Sequence, residues 1–427
     1  MDPQERRRLR DIIRNRNGEK NLLELNDEEL DKALRLVVDI NGRLTPTLAG
    51  ILLIGKEERI RELVPTMGAD FQVIEGTEVR VNQSFHECLL SVLTKFEEYI
   101  KPWNPEHEME YGLFRIPVPE FSERAFREGV VNAFSHRDYS LLGSVRVEIT
   151  QEGLSITSPG GFIDGVNLKN LLTVEPHGRN PALADALKRI GLAEKTGRGI
   201  DRIYEGSIVY GRPLPDYSES TERNVRLYIP RSAPDLAFSK MIADEQNKIG
   251  HSLSINWLLI LSALKEEKRM SIFQISSSVN IPESKVRVSL EQMLEHGLIE
   301  AYGNGRNRAY ILGKRIYSDR NRGIEYVRQT DIEKVRYPEL VIKLGNQQNG
   351  IVHKQDVVEL LHITPSQAYA VLKKLVAEGK LTSSGTGRYA YYKVVKAFDQ
   401  MTPEEISHEA AEYNKSHPLK GKQATIV

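Results

Sequence analysis

Chemistry-bearing residues concentrate in one stretch, FREGVVNAFSHRDYS (126–140). Glu128, Asn132 and Ser135 stand at i, i+4 and i+7, so they share one face of a helix; Phe126, Val130 and Phe134 lie roughly opposite. A carboxylate lined up with a carboxamide is either a solvated surface stripe or the working face of a site. Two glycine-rich breaks follow, Ser158-Pro-Gly160-Gly161 after a strand pattern and Gly197-Arg198-Gly199 opening a helix. No G-x-x-x-x-G-K-[ST] or G-x-G-x-x-G occurs. HRDYS (136–140) begins like a protein-kinase catalytic loop, but Gly143 stands where the metal-binding Asn is needed and no D-F-G follows. His136 and Asp138 read as a helix C-terminal cap and an Asx turn, with ligand roles as the alternative.

The elements that must position these residues follow from periodicity. The spacing predicts helices over 27–40 (capped by Asn26 or Asp27), 84–100, 122–137, 180–192 (Asn180 as N-cap, Pro181 at N1) and from 194 to 206. Strands are expected at 69–76, 109–119 and 224–230, and a hairpin at 144–150 and 153–157. The mixture gives an α+β class, with an α/β sandwich over 105–232. Residues 231–252 read as a link. Residues 255–312 run helix, helix, turn, helix, hairpin, and about 338–393 repeats that plan, as in a duplicated module. The expected divisions are 1–104, 105–232, 233–253, 254–322, 323–394 and a polar tail, 395–427.

A chain of 427 residues suggests two to four domains. No apolar run approaches the roughly 20 residues that cross a bilayer, and the charged N-terminus has no signal region. The expectation is a cytoplasmic protein with no membrane partner. Cys88, the only cysteine, excludes an internal disulfide and a cysteine-based zinc site, and reads as a core residue. Lys plus Arg balances Asp plus Glu at 59 each, so total charge does not favour a polyanion. Segregated charge does: residues 303–323 carry six cations against Asp319.

Taken in order, FREGVVNAFSHRDYS, ITSPGGFIDGV and GRNPALADALKRIGLAEKTGRGIDRI resemble the GHKL (histidine-kinase-like) ATPase fold. The likeness is to its divergent branch in bacterial and archaeal putative transcriptional regulators, which carry a Schlafen AlbA-like domain in front and winged helices behind. Residues 20–80 are similar to the end of that AlbA-like region, so the N-terminal part is expected as its α/β remnant. The resemblance implies ATP and Mg²⁺ as cofactors. Asn132 would hold the metal through its carboxamide oxygen, and Glu128 would orient or deprotonate the attacking water. Gly160 and Gly161 would let the backbone pass close to the nucleotide. Gly197, Arg198 and Gly199 would present N–H groups to phosphates, with Arg179 or Arg198 neutralising charge and Asn180 beside them. Ser158 stands where the family's D-x-G-x-G aspartate reads the adenine amino group. A hydroxyl accepts more weakly than a carboxylate.

The repeated modules have the winged-helix plan, in which the third helix enters the major groove of double-stranded DNA. Ser284, Lys285, Arg287 and Ser289 are expected on the exposed face of the first such helix, with Arg306 and Arg308 on its wing. Ser366, Gln367, Tyr369, Lys373 and Lys374 are the second set, with Arg388 on that wing. The expected function is an ATP-binding, DNA-binding regulator, dimeric by resemblance. The alternatives are a Mg²⁺-dependent ATPase serving a genome-maintenance or anti-phage complex, with a separate AlbA-like or defence subunit, and a scaffold with a degenerate nucleotide pocket.

Overall fold

Apolar residues one turn apart, Leu9 and Ile13, anchor the first helix, α1 (Pro3–Asn15), while Arg6 on its outer side pairs with Asp31 at 2.7 Å. The computed structural model describes residues 1–395 apart from 112–113, 176–177, 195–196, 303–307, 315–336, 362 and 386–389. The chain divides into two units, residues 1–266 with 272–291, and residues 267–271 with 292 onward.

In the first unit, α2 (Asp27–Ala33) starts at a capping box between Asn26 and Glu29. The helix expected to reach residue 40 stops there. Arg35 has φ +55°, and β1 (Val37–Ile40) and β2 (Arg43–Pro46) form a hairpin around Asn41-Gly42, both at positive φ. Branched Val37 and Val38 followed by Asn-Gly favour the hairpin over another helical turn. Two short helices follow, α3 (Leu48–Ile54) and α4 (Glu57–Leu63).

The next elements are β3 (Ala69–Glu75), β4 (Glu78–Phe85), α5 (Leu89–Ile100), the hairpin β5 (Glu106–Tyr111) with β6 (Phe114–Pro119), and α6 (Glu123–Ser135). Then come β7 (Val145–Ile149), β8 (Gly153–Pro159), α7 (Pro181–Arg189), α8 (Gly199–Ile208) and β9 (Asn224–Pro230). One five-stranded sheet collects strands in the order β4-β3-β7-β8-β9. Only β3 and β7 are parallel; the other pairs are antiparallel. The sheet therefore crosses the division expected at residue 104, because β3 and β4 belong to it. Alternation sets its inner face: Ala69, Phe71 and Val73 of β3 and Val145, Val147 and Ile149 of β7 are buried. Phe71 stacks 5.7 Å from Phe96 of α5.

Cys88 is buried at the N-cap of α5, where burial pushes its thiol up to about 12. The stretch expected as a link holds α9 (Leu236–Ile249), capped by Asp235, with Phe238, Met241, Ile242 and Glu245 buried. The pattern 238, 241, 242, 245 is helical, and its burial makes the segment part of the core.

The repeated plan appears as α10 (Ile255–Glu267), β10 (Met270–Ser271), α11 (Ile272–Val279), α12 (Glu283–Glu295), β11 (Ile299–Tyr302) and β12 (Ala309–Leu312). It recurs as α13 (Tyr337–Gln347), β13 (Ile351–Val352), α14 (Lys354–Leu361), α15 (Pro365–Ala377), β14 (Leu381–Ser384) and β15 (Tyr391–Val394). In the second unit the two small sheets have the same arrangement, β10-β12-β11 and β13-β15-β14. The architecture is α+β, with a mixed N-terminal region and a winged-helix-like C-terminal region. Among the described residues no helix is long and apolar enough to cross a membrane.

Candidate functional site

The stripe on α6 is not solvated. Ser122 caps the helix, its hydroxyl accepting from Ala125 N–H at 3.3 Å, and α6 packs on the sheet, α7 and α8. Close packing of α6 on α8 depends on Gly206, because a Cβ there would sit 2.8 Å from Ala125 Cβ. Glu128 is consequently only 7% exposed. Burial pushes its carboxyl up to about 7, against hydrogen bonds from the Glu194 backbone and the Asn132 side chain that favour the charged form. The Glu194 carboxylate is held by Arg124 and Arg202 at 3.4 and 3.5 Å.

Glu128 and Asn132 open onto a cavity of about 420 Å³, within the usual range for a small-molecule site. Its wall joins segments distant in sequence: α6, the end of β8 with Ser158, Gly160 and Gly161, and the entry to α8 with Gly197, Arg198 and Gly199. Apolar residues line it as well, among them Phe162, Ile163, Leu171 and Leu172. Gly160 and Gly197 have φ +101° and +74°, which a side chain would strain. Arg198 occupies the N-cap of α8 without capping it by its side chain.

Gly199 touches the carboxylate directly. A Cβ there would lie well inside van der Waals contact of Glu128 and 3.3 Å from Asn132 Nδ2. Gly199→Ala is expected to displace the Glu128 carboxylate and lower stability by about 1–3 kcal/mol, as overpacking does. Urea melts of the two proteins check this; an unchanged midpoint would mean α8 yields freely.

Ser158, in the cavity wall, donates its hydroxyl proton to Ala133 O at 2.6 Å, which leaves its oxygen only an acceptor's role toward any ligand. Arg179 and Asn180 do not line the cavity; they brace it. Arg179 Nη2 donates to Gly161 O at 3.2 Å and Nη1 stands 3.4 Å from Asp138, tying two loops together. Asn180 occupies the N-cap position of α7, but its amide donates instead to Ser135 O and Arg137 O, at 3.0 and 2.8 Å. His136 is the C-cap of α6 and also lines the cavity. Asp138 forms the Asx turn, accepting from Ser140 N–H at 3.0 Å.

The structure adds Lys188, Asp201 and Tyr217 to the wall. Asp201 carried a signal, an acid in the first turn behind Gly-Arg-Gly. Tyr217 carried none, since it comes from the irregular stretch before β9. Nothing in the local sequence marks the role of Arg137 either. It is fully buried, and its guanidinium donates to four backbone carbonyls, those of Asp138, Thr66, Leu141 and Gly143.

On α12, Ser284, Lys285 and Arg287 are exposed. Ser289 is not: at 6% exposure it lies with Met293, one turn on, in the buried stripe. Val288, 55% exposed, takes the outer face instead. Arg308 is exposed, 5.4 Å from the Tyr310 ring. On α15, Ser366, Gln367, Tyr369, Lys373 and Lys374 are all exposed, although Gln367 also closes a capping box with Thr364. Arg306 and Arg388 lie outside the described residues.

Comparison with known proteins identifies two regions of different kind. Residues 143–229 match a family described as "Putative ATP-dependent DNA helicase recG C-terminal", a GHKL-like ATPase domain. That match begins after α6, so Glu128 and Asn132 join the site by geometry rather than by the match. The family's description mentions a helicase; the G-x-x-x-x-G-K-[ST] pattern of a phosphate loop does not occur in this sequence. Its nearest approach, Gly50 to Lys56, continues with Glu57 and lies largely on α3. Residues 258–300 match "Winged helix-turn-helix DNA-binding", and residues 1–70 match a domain of unknown function. No curated protein matches the chain. The DIP2311 protein from Corynebacterium diphtheriae has a similar fold, with TM-score 0.59 and 21% identity over 92% of this chain and 67% of that one. This chain thus carries a GHKL-like ATPase domain followed by a winged-helix DNA-binding domain.

Proposed function

We propose that the protein is a nucleotide-responsive DNA-binding regulator, in which ATP bound in the α6–α8 cavity sets how the winged helices engage DNA. The observation that supports it best is the cavity itself. It gathers Glu128 and Asn132 with two glycine turns and the start of a helix, in a chain that also carries a DNA-binding module. Backbone N–H groups at Gly197–Gly199 and the α8 dipole suit phosphates, and the apolar lining residues suit a base. Ser158, fixed as an acceptor, suits a base amino group.

The donor set also fits a metal of one kind. Among the described residues no group of three or more His, Cys, Asp or Glu side chains could hold an ion. A Mg²⁺ ion would take the Asn132 carboxamide oxygen, with phosphate oxygens and water as its remaining ligands. It would supply charge neutralisation for the phosphates.

Calorimetry with MgATP is the test. The wild type is expected to bind, and Asn132→Ala to weaken binding by at least about tenfold, the loss of one ligand to a charged group. Linkage then requires MgATP to change DNA affinity by the same factor as DNA changes MgATP affinity. No binding by folded wild type, or DNA affinity indifferent to saturating nucleotide, would sink the reading.

A second reading, a Mg²⁺-dependent ATPase, draws on the place of Glu128 in the cavity wall, one turn from Asn132. There a carboxylate can hold or accept a proton from a water molecule aligned on a phosphate. Steady turnover lost in Glu128→Gln with binding retained would favour it.

A further inference from the structure

The two third helices, α12 and α15, share a plan but not a surface. Val286, Leu290 and Met293 bury the inner side of α12; Ala368, Leu372 and Leu375 do the same for α15. Outward, α12 carries Lys285 and Arg287 against Glu283, Glu291 and Glu295, a net of one negative charge. Large apolar groups are exposed in the same module, Phe273 at 68% and Val288 at 55%. Along α15 the outward residues Ser366, Tyr369, Ala370 and Lys373 follow at i, i+3, i+4 and i+7. The helix carries Lys373 and Lys374 and no acid, a net of two positive charges. Lys374 stands 3.9 Å from Glu378 beyond the helix end, while Lys373 makes no ion pair among the described residues.

We infer that α15, and not the α12 of the module that matches the DNA-binding family, is the helix that enters the major groove of double-stranded DNA. The inference rests on the reading that this protein binds DNA, and it assigns the contact. Phosphates attract a helix by its local field, and each neutralised phosphate releases counterions. An acidic outward face on α12 opposes that approach. The outward face of α15 offers two cations for phosphates, a hydroxyl for base edges, and the Tyr369 ring and Ala370 methyl for thymine methyl groups. Exposed Phe273 and Val288 add no cation for phosphates.

The test uses the full chain and a labelled mixed-sequence DNA duplex, followed by fluorescence anisotropy over a salt series. Lys373→Gln with Lys374→Gln is expected to weaken binding on the order of tenfold and to lower the salt slope by about two. Lys285→Gln with Arg287→Gln, which removes the same charge from α12, is expected to change affinity less than about twofold. Lys373→Arg with Lys374→Arg keeps the charge and is expected to bind as the wild type, which separates a contact from a folding defect. An equal or larger loss in the α12 pair overturns the assignment while leaving DNA binding intact. Absence of binding by the wild type overturns the assignment together with the reading beneath it.

Discussion

Arg137→Met is expected to destabilise the first unit by about 3–5 kcal/mol, among the largest effects of any single substitution here. Arg137 has no exposed surface and forms no ion pair with a carboxylate among the described residues. Its guanidinium satisfies the carbonyl of Thr66, before β3, and those of Asp138, Leu141 and Gly143 in the loop between α6 and β7, at 2.6 to 3.2 Å. The charge also lies 4.9 Å from the Tyr139 ring. Methionine fills similar space but donates nothing. The Asp138 carbonyl keeps the Leu141 N–H at 3.2 Å, while those of Thr66, Leu141 and Gly143 lose the guanidinium donor, at roughly 1–3 kcal/mol for each one left unsatisfied. Relief of the buried charge offsets part of that. Thermal or urea denaturation measures the difference. A loss under about 1 kcal/mol would show that water reaches those carbonyls once the guanidinium is gone.

The second large effect depends on pH. In protein free of nucleotide and divalent cation, Glu128 holds its proton up to about pH 7, whereas its ordinary value is 4.5. Below pH 4.5 both folded and unfolded chains are protonated there and the group is neutral in its effect. Between 4.5 and 7 the unfolded chain releases the proton first, so stability falls as pH rises. Above pH 7 the buried carboxylate is charged, at a full penalty of about 3 kcal/mol. Glu128→Gln removes that dependence. It is expected to match the wild type near pH 4 and to exceed its stability above pH 7, with the gap opening across the interval between. Parallel stability curves for the two proteins would show that the carboxyl titrates as if in water.

Most helices and strands around the site are legible because their apolar periodicity agrees with what they bury. The strand expected over 109–119, however, is the hairpin β5–β6, and the helix expected from 84 starts at Leu89, since 84–85 end β4. The β7–β8 hairpin, α6, α7 and β9 lie where alternation, helical spacing, Pro181 and the glycine breaks put them. Glu128 could not be read as buried from spacing alone. Its face is covered by α8, which arrives more than sixty residues later in the sequence and packs closely because residues 199 and 206 lack a Cβ. The hairpin at 37–46 was missed because Asp27 to Leu36 carries a helical period that runs into Val37, while Asn41-Gly42 signals a turn only when weighed against it. Arg137 looked like part of a kinase-like HRD, and nothing local says that four carbonyls converge on it. Arg179 and Asn180 were legible as neighbours of the site but not as its braces. Their partners, Asp138, Gly161, Ser135 and Arg137, come from two other segments.

The parallel pairing of β3 with β7 has a consequence for how the chain reaches its native state. During synthesis β3 emerges first, with Phe71 and Val73 ready to be buried, but its inner neighbour comes only after α5, β5, β6 and α6 have appeared. The sheet closes later still, when residues 224–230 add β9 to β8. Non-local parallel pairing of this kind is slow, and it leaves strand edges open while the chain waits. The segment that carries the ATPase likeness, 143–229, is therefore not expected to fold by itself: cut out, it would present β7 as a bare edge without its β3 neighbour. The cavity draws its wall from α6 through β9, ending at Val225 and Leu227, so it cannot be complete before β9 has emerged.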